Sequence, residues 1–167
     1  PDQGIYPHCL ECTLGQYSDA RGWESVCTDC EKGQYSDAEV LDDTVNSRRR
    51  CILCEKGRYN NDTGLAFKCT DCPQGFSQSV PGQVECTACP LGKYTRKTVQ
   101  NSLCHDCEPG KYADTASSFN CTSCPSGYVQ PNPGSPRCFP CAPGKANGQI
   151  GLVTSCEGCA PGKYAQA

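Results

Sequence analysis

Apolar residues along this chain never fall into a helical rhythm. No stretch repeats its hydrophobic positions with the period of a helix, so almost no helix is expected. What recurs is a short beat of glycine, aromatic and polar residues. Tyrosine stands two residues after a glycine at Tyr17, Tyr35, Tyr59, Tyr94, Tyr112 and Tyr164; Phe76 and Tyr128 stand one residue after, and Ala146 takes the place in the eighth copy. Turn formers follow, as in Asn60-Asn61-Asp62 and Ser77-Gln78-Ser79. A second set of glycines, Gly22, Gly64, Gly82, Gly134 and Gly151, then turns the chain back. The segments between turns are about three to five residues long, enough for one small β-hairpin per copy.

The frame of this beat is cysteine. All eighteen cysteines belong to nine Cys-x-x-Cys pairs, and the steps between pairs, counted from Cys9, are 18, 24, 18, 17, 18, 17, 17 and 18 residues. The third residue after each pair is glycine: Gly15, Gly33, Gly57, Gly75, Gly92, Gly110, Gly127, Gly144 and Gly162. Residues 1–167 therefore read as a single tandem-repeat array, with modules of 17–18 residues and one of 24. At the glycine the repeat calls for a turn with positive φ, or for close approach of the backbone to a disulfide. The aromatic ring is expected to pack beside that disulfide, filling a core too small for aliphatic side chains. Two residues join each closing cysteine to the next opening one, which leaves little freedom between modules. The expected fold is a small, disulfide-rich, elongated rod of about nine short hairpins, on the order of 100 Å long, with contacts only between neighbours.

Composition explains why cysteine has to do this. Ile, Leu, Val and Phe number 23 of 167 residues, too few for their burial to offset the ordering of the backbone. Cross-links must supply the remainder. A net charge of −3 argues against a nucleic acid or an anionic membrane as partner, and no apolar run of 18 residues offers a membrane span. The chain begins at Pro1, without methionine or a signal peptide, so both ends are read as cut from a longer polypeptide.

Disulfide and zinc have to be weighed against each other, because the pair spacing lies near that of a zinc ribbon. The residues in and beside the pairs lean acidic or neutral (Thr28-Asp29, Thr70-Asp71, His105-Asp106, with Glu31, Glu55 and Glu108 just after), which does nothing to offset a four-thiolate site. Nine pairs also leave a remainder when grouped into four-cysteine sites. A thioredoxin-type redox pair needs a helix, and none is readable. Disulfides are the favoured reading, zinc is the alternative, and no cofactor is expected. Eighteen cysteines allow a very large number of pairings. The simplest local scheme joins Cys12 to Cys27, Cys30 to Cys51, Cys54 to Cys69, Cys72 to Cys86, Cys89 to Cys104, Cys107 to Cys121, Cys124 to Cys138 and Cys141 to Cys156. Cys9 and Cys159 are left for modules beyond the ends. Each loop of about 15 residues closed in this way contributes roughly 3 kcal/mol.

Other features depart from the repeat. The Cys30–Cys51 unit is six residues longer and carries Asp42-Asp43 and Arg48-Arg49-Arg50. It reads as a solvated loop, with a partner-binding knob, a patch for acidic glycans and a protease site as the functional alternatives. Trp23 serves either module packing or contact with another chain. Asn61-Asp62-Thr63 and Asn120-Cys121-Thr122 are N-glycosylation sequons, the second abutting a bridging cysteine. His8 and His105 stand far apart with no nucleophile or paired carboxylates beside them, and no phosphate, calcium or histidine metal motif occurs. No enzyme is read from this chain.

The unit C-x-x-C-x-x-G-x-Y, as in Cys51-Ile52-Leu53-Cys54-Glu55-Lys56-Gly57-Arg58-Tyr59, resembles the ephrin-receptor-like cysteine-rich repeat. That repeat is related to the smallest module of tumour-necrosis-factor receptors and, more loosely, to EGF-like modules. The resemblance implies an extracellular, disulfide-stapled rod with the local bridge described above, secreted or on the cell surface. Two functions are compatible with it. One is a structural spacer in a filament, appendage or surface coat, such as a flagellar-hair-type fibre, whose partners are other protein chains. The other is a ligand-binding ectodomain segment of a receptor or adhesion protein. Glycans are possible additional partners, and an intracellular zinc adaptor requires reduced thiols.

Overall fold

A computed structural model of the protein describes residues 12–18, 26–37, 41–42, 48–96 and 101–165. His8, Cys9, Gly22, Trp23 and Asp43 lie outside the described residues. Among the described residues there is no helix, and every strand belongs to one of nine two-stranded sheets. Eight of these sheets are the repeated hairpin, beginning with Gln16–Tyr17 against Thr28–Asp29 and ending with Lys145–Ala146 against Glu157–Gly158. Small disulfide-rich tandem hairpins are thus the fold.

The strands are only two residues long, shorter than the segments the sequence suggested. The second strand of each hairpin is the pair of residues inside the following Cys-x-x-Cys: Thr28–Asp29 lies between Cys27 and Cys30, and His105–Asp106 between Cys104 and Cys107. Three extended steps at ~3.3 Å each put the two cysteines of one pair about 10 Å apart, beyond disulfide reach. They must bridge elsewhere, one back into its own hairpin and one forward into the next. The first strand is launched by a four-residue turn. In the first module the Gln16 amide donates to the Thr13 carbonyl (3.1 Å), with Gly15 third in the turn at φ +82°, where a type II turn needs a left-handed residue.

The insertion between Cys30 and Cys51 carries a ninth hairpin. Leu41–Asp42 pairs antiparallel with Arg48–Arg49, with Leu41 opposite Arg49 and Asp42 opposite Arg48. Its second strand lies against Gln16–Tyr17 of the first module.

Two compact units make up the chain. One comprises Pro1–Glu55, Tyr59–Thr70 and Pro81–Glu85, the other Lys56–Arg58, Asp71–Val80 and Cys86–Ala167. In the first unit the Gly15 amide donates to the Ser36 carbonyl (2.8 Å), Ser36 donates to Leu65 (3.0 Å), and Gly64 donates back to Cys30 (2.8 Å). The second unit repeats the arrangement: Gly92 donates to Ala113 (2.8 Å), Ala113 to Ser135 (3.3 Å), and Gly134 back to Cys107 (2.8 Å). Main-chain bonds of this kind join each module to its neighbour in both units.

Two expectations about packing are corrected here. Contacts reach past the nearest neighbour: Gly15 packs against the Gly64 carbonyl and Gly92 against the Gly134 carbonyl, in each case two modules downstream. The turn glycine is therefore pressed by a loop carbonyl, not by the disulfide. A rise of one short hairpin per module is too small to separate second neighbours, so the loop of one module lands on the turn of the module two before it. The aromatic rings, for their part, are not the core. Tyr35, Tyr59, Tyr94 and Tyr112 are half-buried, and Tyr164 is 83% exposed. What is buried is the second cysteine in six of the nine pairs, Cys30, Cys54, Cys72, Cys89, Cys107 and Cys124, all at 0% exposure, together with the residue just after the first strand. That residue is Ser36, Asn60, Gln78, Thr95, Ala113 or Gln130. A chain this poor in aliphatic side chains buries sulfur and hydrogen-bonded polar groups instead.

Candidate functional site

The structure brings together Cys12 and Cys27, Cys30 and Cys51, Cys54 and Cys69, Cys72 and Cys86, Cys89 and Cys104, Cys107 and Cys121, Cys124 and Cys138, and Cys141 and Cys156. Cα–Cα separations of 5.5–5.8 Å sit inside the range of relaxed disulfides. Cys159 keeps a free, half-buried thiol. Each loop spans 14–21 residues of sequence, and no bridge crosses another. The feature that repeats with function-bearing regularity is this stapled joint, built from the bridge, the turn glycine and the buried polar residue.

At the joint, the buried polar side chains tie one module to the next. Asn60 donates through Nδ2 to the Gln34 carbonyl (2.8 Å) in the module before it and to the Asp62 carbonyl (2.8 Å) of its own loop. Thr95 accepts the Gly75 amide at Oγ1 (2.9 Å) and donates to the Phe76 carbonyl (3.3 Å). Asn147, only half-buried, donates in the same way to the Tyr128 carbonyl (3.1 Å). Ser36 sits in the same place, fully buried, with its hydroxyl unpartnered. The sequence carries a signal for this position. The third residue after each turn glycine is Ser18, Ser36, Asn60, Gln78, Thr95, Ala113, Gln130, Asn147 or Ala165, small or able to hydrogen-bond throughout.

The surface of the hairpins is charged in a patterned way. In three hairpins the residues opposite one another at the start of the strand pair are matched: Gln16 donates to Asp29 (2.8 Å), Arg58 to Asp71 (2.9 Å) and Lys93 to Asp106 (2.9 Å). Asp29, Asp71 and Asp106, inside their cysteine pairs, thus have cross-strand partners. Elsewhere the match is absent: Gln34 faces Leu53, Phe76 faces Ala88, Lys111 faces Ser123 and Tyr128 faces Pro140. Ion pairs as exposed as Lys93–Asp106 add about 0.2–1 kcal/mol each. Their use lies in fixing which residues face each other.

Around Tyr94 these elements converge. Its ring centroid lies 6.2 Å from that of His105, the partner across the hairpin, and the Arg96 guanidinium lies 5.7 Å from its centre. Arg96 in turn donates to Oδ1 of Asn120 (2.7 Å). A hollow of about 10 Å³ lies here, lined by Tyr94, Arg96, Glu108, Lys111, Asn120 and Cys121, with room for about one water. Among the described residues no cluster of three or more His, Cys, Asp or Glu side chains is placed to hold a metal ion. Among the described residues, likewise, no helix is long and apolar enough to cross a membrane.

These modules form the class of disulfide-stapled hairpin repeats. Residues 63–102 match the family model described as tyrosine-protein kinase ephrin type A/B receptor-like. The same cysteine, glycine and hairpin pattern recurs in the other modules, and together with this match it supports reading the array as an ephrin-receptor-like cysteine-rich repeat, a module of extracellular type. Comparison of the chain with curated proteins gives no match.

Proposed function

We propose that this segment is one continuous array serving as an extracellular structural spacer, a repetitive component of a filament, appendage or surface coat such as a flagellar-hair-type fibre. The observation that carries this reading is the joint itself. Each step is made by the same main-chain bonds, Gly33 to Asn60, Gly57 to Gln78, Gly75 to Thr95 and Gly110 to Gln130, whichever side chain occupies the position. A joint made by backbone tolerates drift of the surface and repeats its geometry, which suits a spacer better than a ligand-specific site. The protein carries no catalytic role in this reading, and its partners are other chains, including copies of itself. Mild net charge and cysteine chemistry support secretion or display at the cell surface, away from nucleic acid.

A second reading, a ligand-binding segment of a receptor or adhesion ectodomain, is favoured by two observations. One is the family match over residues 63–102. The other is the extra hairpin of Leu41–Asp42 and Arg48–Arg49, a deviant module of the kind binding surfaces are built on. Electron microscopy of protein isolated from its native source, without reductant, separates the two. Fibres with a regular repeat are the expected result; monodisperse particles that bind a soluble protein would overturn the spacer reading.

A further inference from the structure

We propose that Asn61 is an N-glycan acceptor which the folded module holds out to solvent, and that Asn120 stays unmodified although its sequon is equally complete. The inference rests on the extracellular reading above.

Asn61 and Thr63 are exposed, and so are Asn120 and Thr122; the two triplets differ in what frames them. Asn60, buried to 4% exposure, anchors its side chain on the Gln34 carbonyl and accepts the Asp62 amide at Oδ1 (2.9 Å), closing a small turn over Asn61. Asn61, Asp62 and Thr63 are all exposed, and none of the three lies in a strand. The Asn61 amide is thus presented at the tip of a loop tied down at its base. Asn120 has a fixed frame instead. Its Oδ1 accepts Arg96, Cys121 is bridged to Cys107, and Thr122 is paired with Tyr112 inside a hairpin. An acceptor triplet has to leave its own fold far enough to enter a transferase cleft, and a loop tip does so at little cost whereas a bridged strand does not.

The reaction needs an oligosaccharide linked to a polyisoprenyl pyrophosphate and the membrane transferase that uses it. The sugar C1–O bond to pyrophosphate breaks, a C1–N bond to Nδ2 of Asn61 forms, and the amide proton leaves with the polyisoprenyl pyrophosphate. No electrons change hands. The asparagine keeps its carbonyl and one N–H.

The test is to secrete the chain from eukaryotic cells behind a cleavable leader and record intact mass before and after peptide N-glycosidase, then after full reduction. The expected result is a single glycan, with the deamidation left by the glycosidase mapped to Asn61. It is lost in Asn61→Gln and in Thr63→Ala, which leaves the asparagine in place, and kept in Asn120→Gln. A fully bridged chain without glycan, or one carrying glycan at Asn120, overturns the proposal and leaves the extracellular reading standing. A chain from its native source with reduced thiols overturns both.

Discussion

Gly92, in a strand-launching turn, and Gly151, in a loop, have nearly the same backbone, at φ +77° and +73°, yet their surroundings differ. A Cβ built on Gly92 would overlap the Gly134 carbonyl, whereas one built on Gly151 would meet nothing closer than 3.6 Å. The left-handed turn is a demand of the single module, present wherever the repeat occurs. The demand for zero volume comes from stacking, and arises only where a loop two modules away closes over the turn. One residue type answers two separate requirements, and substitution at the two sites pulls them apart.

Gly92→Ala meets both requirements at once. Left-handed strain of about 1–2 kcal/mol adds to overpacking of about 1–3 kcal/mol, so a loss of ~3–4 kcal/mol in local stability is expected. Hydrogen exchange at the Gly92 and Gly134 amides, which donate to Ala113 and Cys107, reads it directly. Gly151→Ala meets only the first, and should cost about 1–2 kcal/mol at the Gly151 amide, which donates to Cys124. Equal losses at the two sites would end the distinction between turn and stacking.

Ser117 sharpens the same comparison with the opposite sign. It occupies the loop place held elsewhere by Gly64, Gly82, Gly134 and Gly151, and is the one non-glycine residue with positive φ among the described residues, at 60°. Its amide donates to Cys89 and its carbonyl covers Gly75, so the stacking is intact while the backbone is strained. Ser117→Gly should stabilise the joint by about 1 kcal/mol, seen as slower exchange at residue 117. Smallest of all is Lys93→Ala. Loss of its exposed pair with Asp106 should change stability by no more than about 0.5 kcal/mol, and raising the salt concentration should mimic it.

The hairpin and the stapled loop were legible because they are local. Cys-x-x-Cys, the glycine three residues on and the turn formers all act within about twenty residues, and their period makes each copy a check on the others. The stacking of Gly15 under Gly64 was not legible, because nothing in the spacing of single modules states how far one hairpin rises along the array. The same holds for the buried polar place. A residue such as Gln130, fully buried, looks like a loop residue until the next module covers it. Ring size is no guide to burial here: the Tyr94 ring carries Arg96 on its outer face rather than sinking into a core. Asp71 and Asp106, inside their cysteine pairs, answer Arg58 and Lys93 across the hairpin, a pairing that the cysteine spacing alone does not state.

That no bridge encloses another has a mechanical consequence. A pull on the two ends of the chain travels through each sulfur–sulfur bond and the two-residue link after it, while the looped residues carry no load. Reducing one bridge would let a hidden loop of about 15 residues into the load path and lengthen the chain by roughly 45 Å, leaving its neighbours closed. Each bridge therefore stores its own length of chain, released only when that bridge is reduced.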